Sequence, residues 1–227
     1  MRLLTLDAAL GACTVGLVAD GVVEIAHSRV AATGQAETLA ILLAEVLAAA
    51  PGGPIAAVAV TLGPGSFTGI RAGLALAEGL ALARACPVIG LSLGEALEAT
   101  LTRAPGWRPG WAIWSAIDSR RGRIFLEHAG QVVALAPGAL PLPGEPVALA
   151  GDAAALVAAH LAARGAQVML TDVRRPDCAG IAAAAAARQT GRLPPRTALP
   201  LYVDPPAVRL PVRAPAAPVA DLPADPG

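Results

Sequence analysis

Residues 63–71 have the sequence GPGSFTGIR, and this loop is the most informative stretch for the fold of the chain. It follows an apolar β-type run at residues 55–62 and precedes a long apolar helical pattern at residues 68–84. A turn of this kind brings backbone N–H groups together at the positive end of a helix dipole, which is typical of an anion site. A P-loop would place Lys and Ser or Thr where Ile70 and Arg71 stand. The stretch predicts an α/β fold with a candidate anion-binding loop of Gly63, Gly65, Ser66, Thr68 and Arg71.

The composition argues against several classes of protein. The chain has 227 residues, of which 55% are hydrophobic, and its formal net charge is zero. Strong autonomous nucleic-acid binding usually shows a clustered basic excess, so we expect any nucleic-acid contact to be shared with a partner. Cys13, Cys86 and Cys178 stand apart, no CxxC occurs and no HxxxH pair is present, which argues against a metal site. Because the sequence shows neither a signal peptide nor a membrane-spanning run, we expect a cytoplasmic protein.

Pro and Gly cluster at residues 104–110 and predict a boundary between two units. Residues 1–104 are predicted to form an N-terminal domain, which carries the glycine loop and two helices that we expect to bind a partner. Residues 105–204 are predicted to form a smaller C-terminal domain. Residues 205–227 are rich in proline and predict a disordered tail.

One short motif occurs near the start of each half. Asp7 ends a predicted strand and is followed by Gly11 and a second strand, and Asp118 and Gly122 repeat this arrangement. The repeat resembles the layout of duplicated actin-like folds, in which two such hairpins face each other across a nucleotide cleft. We therefore expect two domains, each with a mixed sheet and flanking helices. The two aspartates have two possible roles. They either orient a metal ion or water, or they are polar caps of their hairpins.

The glycine loop and four further segments resemble the TsaB (YeaZ) family, a subunit of bacterial threonylcarbamoyladenosine biosynthesis. The matching segments are residues 63–74, 3–7, 87–97, 116–125 and 200–203. The resemblance implies an actin-like (ASKHA, ribonuclease H-like) fold. It also implies a non-catalytic scaffold required for the threonylcarbamoyl (t6A) modification of the adenosine next to the anticodon in tRNA. The implied partners are TsaD, which performs the transfer, and TsaE, with tRNA bound only as part of the complex.

Two departures from the family pattern weaken any claim of independent catalysis. The family's first loop usually reads Asp-Thr-Ser-Thr, whereas here Ala8, Ala9 and Leu10 follow Asp7. Alanines cannot hold phosphate or order water around a magnesium ion. Residues 35–37 read QAE where the family usually has His-Ser-Glu. We therefore expect no catalytic residue, metal or cofactor, with nucleotide binding only weak or at the partner interface. The alternatives are a stand-alone actin-like ATPase or kinase, and a peptidase.

Two predicted helices, at residues 38–50 and 68–84, carry few charges and lack the polar face of a surface helix. We expect the second face of this pair to be covered by a partner, although alanine-rich codon usage is an alternative explanation. The resemblance implies pairing with TsaD through these helices, or with a second copy when the chain is alone. The predicted partner-binding residues are Leu39, Leu43, Leu47, Gly69, Ile70, Gly73, Leu74 and Ala77.

A basic loop follows the second aspartate. Arg120, Arg121 and Arg123 lie together in a predicted hairpin turn. Such a cluster is often only a solvated turn. If it is functional, we expect it to contact phosphate of tRNA or of a nucleotide at the partner interface.

Overall fold

The computed structural model describes residues 1–50 and 52–203, and these residues form two five-stranded sheets. Sheet A contains β1 (Arg2–Asp7), β2 (Ala12–Ala19), β3 (Val22–Val30), β4 (Ala57–Thr61) and β5 (Val88–Leu91), in the order β3-β2-β1-β4-β5. Sheet B contains β6 (Ala112–Asp118), β7 (Ile124–His128), β8 (Gln131–Leu135), β9 (Val147–Ala150) and β10 (Val168–Leu170), in the order β10-β9-β6-β7-β8. The predicted tail at residues 205–227 lies outside the described residues.

The two sheets repeat one topology. In each, the first strand of its half pairs antiparallel with the second strand and parallel with the fourth. The strands predicted to end at Asp7 and Asp118 correspond to β1 and β6. The duplication expected from the two aspartate motifs is therefore present, and the prediction of an α/β actin-like fold is confirmed.

Five α-helices in the described residues cover the sheets. They are α1 (Gln35–Ala49), α2 (Phe67–Ala83), α3 (Leu93–Leu101), α4 (Ala154–Ala162) and α5 (Cys178–Gln189). α1 and α2 pack on one face of sheet A, and α5 packs on the other. α4 covers one face of sheet B, and α3 covers the face turned toward sheet A. Each sheet is thus packed by helices from both halves of the sequence. The predicted domain boundary at residue 104 stays a prediction.

Local sequence signals account for several element ends. Asp20 and Gly21 both have positive φ, as a tight hairpin between β2 and β3 requires. Ser92 and Glu95 form a capping box at the start of α3, as their residue types and spacing favour. Asp177 accepts a hydrogen bond from the Gly180 N–H and caps α5. None of the helices in the described part of the chain is both long and apolar enough to cross a bilayer.

Candidate functional site

A cleft of about 810 Å³ lies where the glycine loop meets the hairpin turn of the second half. One wall comes from the loop after β1, at residues 9–11, and from the glycine loop. The opposite wall comes from the turn after β6, and the last described residues, Leu201 to Val203, complete the lining. The cleft has a suitable volume for a small molecule. Its chemistry depends on which polar groups along these walls are still available.

The glycine loop is packed against the loop that follows β1. A Cβ at Gly65 would overlap the carbonyl oxygen of Ala9, and a Cβ at Gly69 would overlap that of Ala8. The Ser66 N–H donates to the Ala9 carbonyl at 2.7 Å, and the Gly69 N–H donates to the Ser66 side chain at 3.2 Å. Two backbone donors of the candidate anion-binding loop are therefore bonded within the protein. Thr68 is exposed and Gly63 is buried, and anion binding by this loop stays a prediction.

Gln35 joins α1 to both of these loops. Its side-chain amide nitrogen donates to the carbonyl oxygens of Ala8 at 3.2 Å and Leu10 at 2.5 Å. Its side-chain oxygen accepts from the Ser66 hydroxyl at 2.5 Å. The side chain is 5% exposed, so these bonds are shielded from water. Gln35 consequently fixes the shape of the cleft wall that these two loops form, and every group in this network is neutral.

An arginine and two aromatic rings stand at the mouth of the cleft. The Arg71 guanidinium carbon lies 3.7 Å from the centre of the Phe67 ring, and Arg71 Nε donates to the Tyr202 hydroxyl at 2.8 Å. The Phe67 and Tyr202 rings are stacked with their centres 5.7 Å apart. All three residues are exposed. The contact attaches the chain after α5 to the start of α2, and it engages the arginine of the candidate anion-binding loop.

The arginines of the hairpin turn have different surroundings. Arg120 forms ion pairs with Asp118 at 3.2 Å and with Asp152 at 2.8 Å. Arg123 donates to the carbonyl oxygen of Ala134, while Arg121 is exposed and lines the cleft. Of the predicted cluster, Arg120 and Arg123 therefore stabilise the turn, and Arg121 is the member best placed to meet a ligand. Phosphate or tRNA contact by this loop stays a prediction.

The two repeated aspartates both act as caps of their turns. Asp7 is buried, and its Oδ1 accepts from the Thr61 hydroxyl at 2.5 Å and from the Ala9 N–H at 3.1 Å. Burial raises the pKa of Asp7 above its ordinary value, against the effect of these bonds. Asp118 lines the cleft and accepts from the Arg120 N–H at 2.8 Å. Within residues 1–50 and 52–203, no three His, Cys, Asp or Glu side chains lie together as a metal site would require.

The predicted partner-binding residues do not form an open surface in the chain. Seven of them are buried and Leu47 is partly buried. Leu39, Leu43, Leu74 and Ala77 belong to the core between the two helices and sheet A. Ile70 packs in a second cluster with residues of α3 and sheet B. Their apolar character is thus used at least in part for packing inside the chain, and partner binding by these residues stays a prediction.

Other residues face outward from the same two helices. We call this set the outer face; it consists of Ala40, Ile41, Ala44 and Ala48 on α1 and of Ala75, Gly79 and Leu82 on α2. Ile41 is 43% exposed and Leu82 is 86% exposed. Glu37 on α1 and Arg71 and Glu78 on α2 are also exposed, so charged side chains stand beside these small and apolar ones.

The chain is similar to proteins of one known family. A family model described as TsaD, tRNA N6-adenosine threonylcarbamoyltransferase, matches residues 25–179, which is more than half of the chain. The chain belongs to this family. Within the family, two curated relatives are tRNA threonylcarbamoyladenosine biosynthesis proteins TsaB. The Escherichia coli K12 protein is 36% identical over 130 residues, which is 55% of this chain and 53% of the relative.

The second curated relative, from Haemophilus influenzae, is 33% identical over 131 residues, covering 56% of this chain and 53% of the relative. The chain therefore spans about half the length of the curated relatives it matches. Two solved Pseudomonas aeruginosa structures share the fold. One is described as similar to peptidase YEAZ and has a TM-score of 0.72 at 24% identity, covering 89% of this chain and 99% of the other. The other, YeaZ, has a TM-score of 0.70 at 24% identity, covering 88% and 100%. The resemblance to TsaB noted in the sequence is confirmed.

Three residues that make long-range contacts are not among the site residues predicted from the sequence. Gln35 was noted only because it stands where the family usually has a histidine, yet it joins three segments. Tyr202 was noted as part of the ending at residues 200–203, but its contact with Arg71 spans 131 positions. Glu127 is a carboxylate that follows Ile124, Phe125 and Leu126 on β7, and this setting could have marked it as a buried polar group.

Proposed function

We propose that the chain is a non-catalytic scaffold subunit required for the t6A modification of tRNA. It would act with a separate protein, TsaD, as the catalytic subunit, and with TsaE. Family membership and the names of the curated relatives support the modification role. The observation that supports a scaffold best is the lack of hydroxyl groups in the loop after β1. Ala8, Ala9 and Leu10 are buried there, and the N–H and the hydroxyl of Ser66 are bonded to Ala9 and to Gln35.

The same geometry disfavours a stand-alone ATPase or kinase. Such an enzyme needs hydroxyl, amine or backbone donors that are available to phosphate and to magnesium-bound water. Here Asp7 is buried and bonded to Thr61, and the hydroxyl of Ser66 donates to Gln35. Ser66 is accordingly no free nucleophile for a peptidase either. Nucleotide, if it binds at all, would bind weakly or at the interface with the partner.

The proposed contact with TsaD uses the outer face of α1 and α2. Apolar side chains that remain exposed on a pair of helices are a usual feature of a protein–protein interface. The outer face also explains how a homodimer would form when the chain is alone, since two copies would cover the same surface. Binding there would favour one conformation of TsaD only to the extent that it binds that conformation more tightly. Contact with tRNA would occur in the complex, with Arg121 as the nearest candidate.

Two charged substitutions on the outer face test this proposal. Ile41→Glu and Leu82→Glu place a carboxylate on an exposed apolar site, so we expect both to fold normally and to weaken capture of TsaD at least tenfold. Leu156→Glu is the matched control, because Leu156 is a 47% exposed leucine on α4, which covers sheet B. Affinity is measured by titrating purified TsaD against each variant. Capture of TsaD by both outer-face variants with the affinity of the control would refute the proposed interface.

A further inference from the structure

The lining of the cleft combines an apolar cluster with two arginines. Leu10, Ile70 and Phe125 line the cleft and belong to one buried cluster. Arg71 lies in the first turns of α2 on one wall, and Arg121 lies in the hairpin turn on the opposite wall. Within residues 1–50 and 52–203, the Arg121 side chain has no hydrogen-bond or ion-pair partner. This combination suits a small ligand that has an apolar body and a negative charge.

Several backbone donors that a polyphosphate would need are already engaged on both walls. The Ser66 N–H donates to the Ala9 carbonyl at 2.7 Å, and the Arg121 N–H donates to the Ser119 side chain at 3.2 Å. The Asp118 carboxylate lines the same cleft and would repel a second or third negative charge. A phosphate chain is usually held by converging backbone N–H groups. The lining therefore favours a ligand with one anionic group over a polyphosphate.

The contacts of Tyr202 show what Phe67 and Arg71 are able to hold. The centre of the Tyr202 ring lies 5.7 Å from both the Phe67 ring centre and the Arg71 guanidinium carbon. The Tyr202 hydroxyl accepts from Arg71 Nε at 2.8 Å. Phe67 and Arg71 thus hold an aromatic ring that carries an oxygen acceptor. An aromatic carboxylate has the same two features, and its charged oxygen accepts a stronger hydrogen bond than a neutral phenol does.

The Tyr202 side chain is able to leave this position without disturbing the backbone before it. Tyr202 is 48% exposed, whereas the N–H of the preceding residue, Leu201, donates to the Leu62 carbonyl at 2.8 Å. Among the described residues, the Tyr202 hydroxyl is the one hydrogen-bond acceptor of the Arg71 side chain. A side chain tethered so close to its contact competes with free ligand at a high effective concentration.

We propose that Phe67, Arg71 and Arg121 form a binding site for an aromatic carboxylate, and that Tyr202 is an intramolecular competitor for this site. The ligand ring takes the place of the Tyr202 ring beside Phe67, and the carboxylate accepts from Arg71. Arg121 adds attraction for the anion from the opposite wall. The apparent affinity is lowered by the fraction of molecules in which Tyr202 occupies the site. This inference is independent of the proposed role in tRNA modification, because the site is tested on the chain without TsaD.

The test titrates salicylate, an aromatic carboxylate, into the purified chain and follows binding by calorimetry. Tyr202→Ala should raise the affinity for salicylate by about threefold or more, because the competitor is removed. Adding Arg71→Gln to this variant should lower the affinity by about tenfold, because the charge-assisted hydrogen bond is lost. Leu199→Ala is the matched control, since Leu199 is 64% exposed on the same segment, and it should bind salicylate as the wild type does. Cyclohexanecarboxylate and tripolyphosphate should compete with salicylate only weakly.

Equal affinity of the wild type and Tyr202→Ala for salicylate would overturn the role of Tyr202 as a competitor. Undiminished binding after Arg71→Gln would overturn the site, and displacement of salicylate by tripolyphosphate at a lower concentration than by benzoate would overturn the ligand class. If circular dichroism shows that Tyr202→Ala does not fold, Tyr202→Phe decides. This variant keeps the ring but removes the oxygen that accepts from Arg71, so it should bind salicylate more tightly than the wild type, and an unchanged affinity would refute the competition.

Discussion

Replacing Gln35 with alanine is expected to lower the free energy of unfolding by about 2–4 kcal/mol, because three buried hydrogen bonds are lost at roughly 0.5–1.5 kcal/mol each. The carbonyl oxygens of Ala8 and Leu10 then face an apolar interior without their donor, which places the loss toward the upper end. The free energy is measured by urea unfolding followed by circular dichroism. Gln189→Ala, at an exposed glutamine on the last turn of α5, is the matched control and should change stability by less than about 0.5 kcal/mol.

Gln35→Glu distinguishes the effect of the lost hydrogen bonds on stability from the effect of the lost side-chain volume. Glutamate fills the same volume but has no amide hydrogens, so an ionised side chain would face two carbonyl oxygens. We expect it to be at least as destabilising as alanine near neutral pH and to recover as the pH is lowered, since a protonated carboxyl can donate to one carbonyl. A loss below 0.5 kcal/mol for Gln35→Ala, or a Gln35→Glu variant as stable as the wild type at pH 7, would refute the role given to this side chain.

Two further predictions concern α2 and α1. Gly69→Ala should destabilise the chain by about 1–3 kcal/mol, because the new methyl group overlaps the Ala8 carbonyl, whereas Gly79→Ala has open space and should stabilise the helix by about 0.5–1 kcal/mol. Equal effects of the two substitutions in urea unfolding would contradict the packing of α2 on the loop after β1. Leu43→Glu should unfold the chain under conditions where Ile41→Glu does not, because Leu43 is 8% exposed and Ile41 is 43% exposed. A folded Leu43→Glu variant that failed only to bind TsaD would return Leu43 to the interface.

Much of the fold could be predicted from local patterns. Apolar runs favour strands in both halves, and the residue types at Asp20-Gly21 and at Ser92 favour the hairpin and the capping box that the structure shows. The strand β10 was missed because Val168–Leu170 is only three residues long and has no alternating pattern. Local signals were sufficient wherever an element is defined by its own residues.

The helices α1 and α2 show why the candidate site was harder to predict than the fold. The small residues Gly69 and Gly73 were predicted to allow close approach of a partner, but they lie against the chain itself: Gly69 against Ala8, and Gly73 against Val60 and Leu39. Periodicity shows that a face is apolar, and it does not show what covers that face. Because α1 and α2 pack on sheet A and on each other, half of their large apolar residues are buried within the chain and others are partly buried.

Long-range polar contacts were beyond the reach of sequence patterns. Gln35 meets Ser66 across 31 positions, and Glu127 meets Ser92 across 35. Neither residue belongs to a motif with a fixed spacing, and each has its role only because two separate elements are brought together by the sheets. The alanines that the sequence places after Asp7 are buried beside the cleft, and their effect on phosphate binding stays a prediction.

The measurement that bears most directly on the scaffold proposal is the formation of t6A on tRNA by purified TsaD and TsaE, with and without this chain. We expect little modification without the chain and a large increase with it. The increase should persist with Asp118→Asn, because Asp118 caps a turn and supplies no catalytic group in this account. Modification that is equally fast without the chain, or that is lost with a folded Asp118→Asn variant still bound to TsaD, would contradict a non-catalytic scaffold.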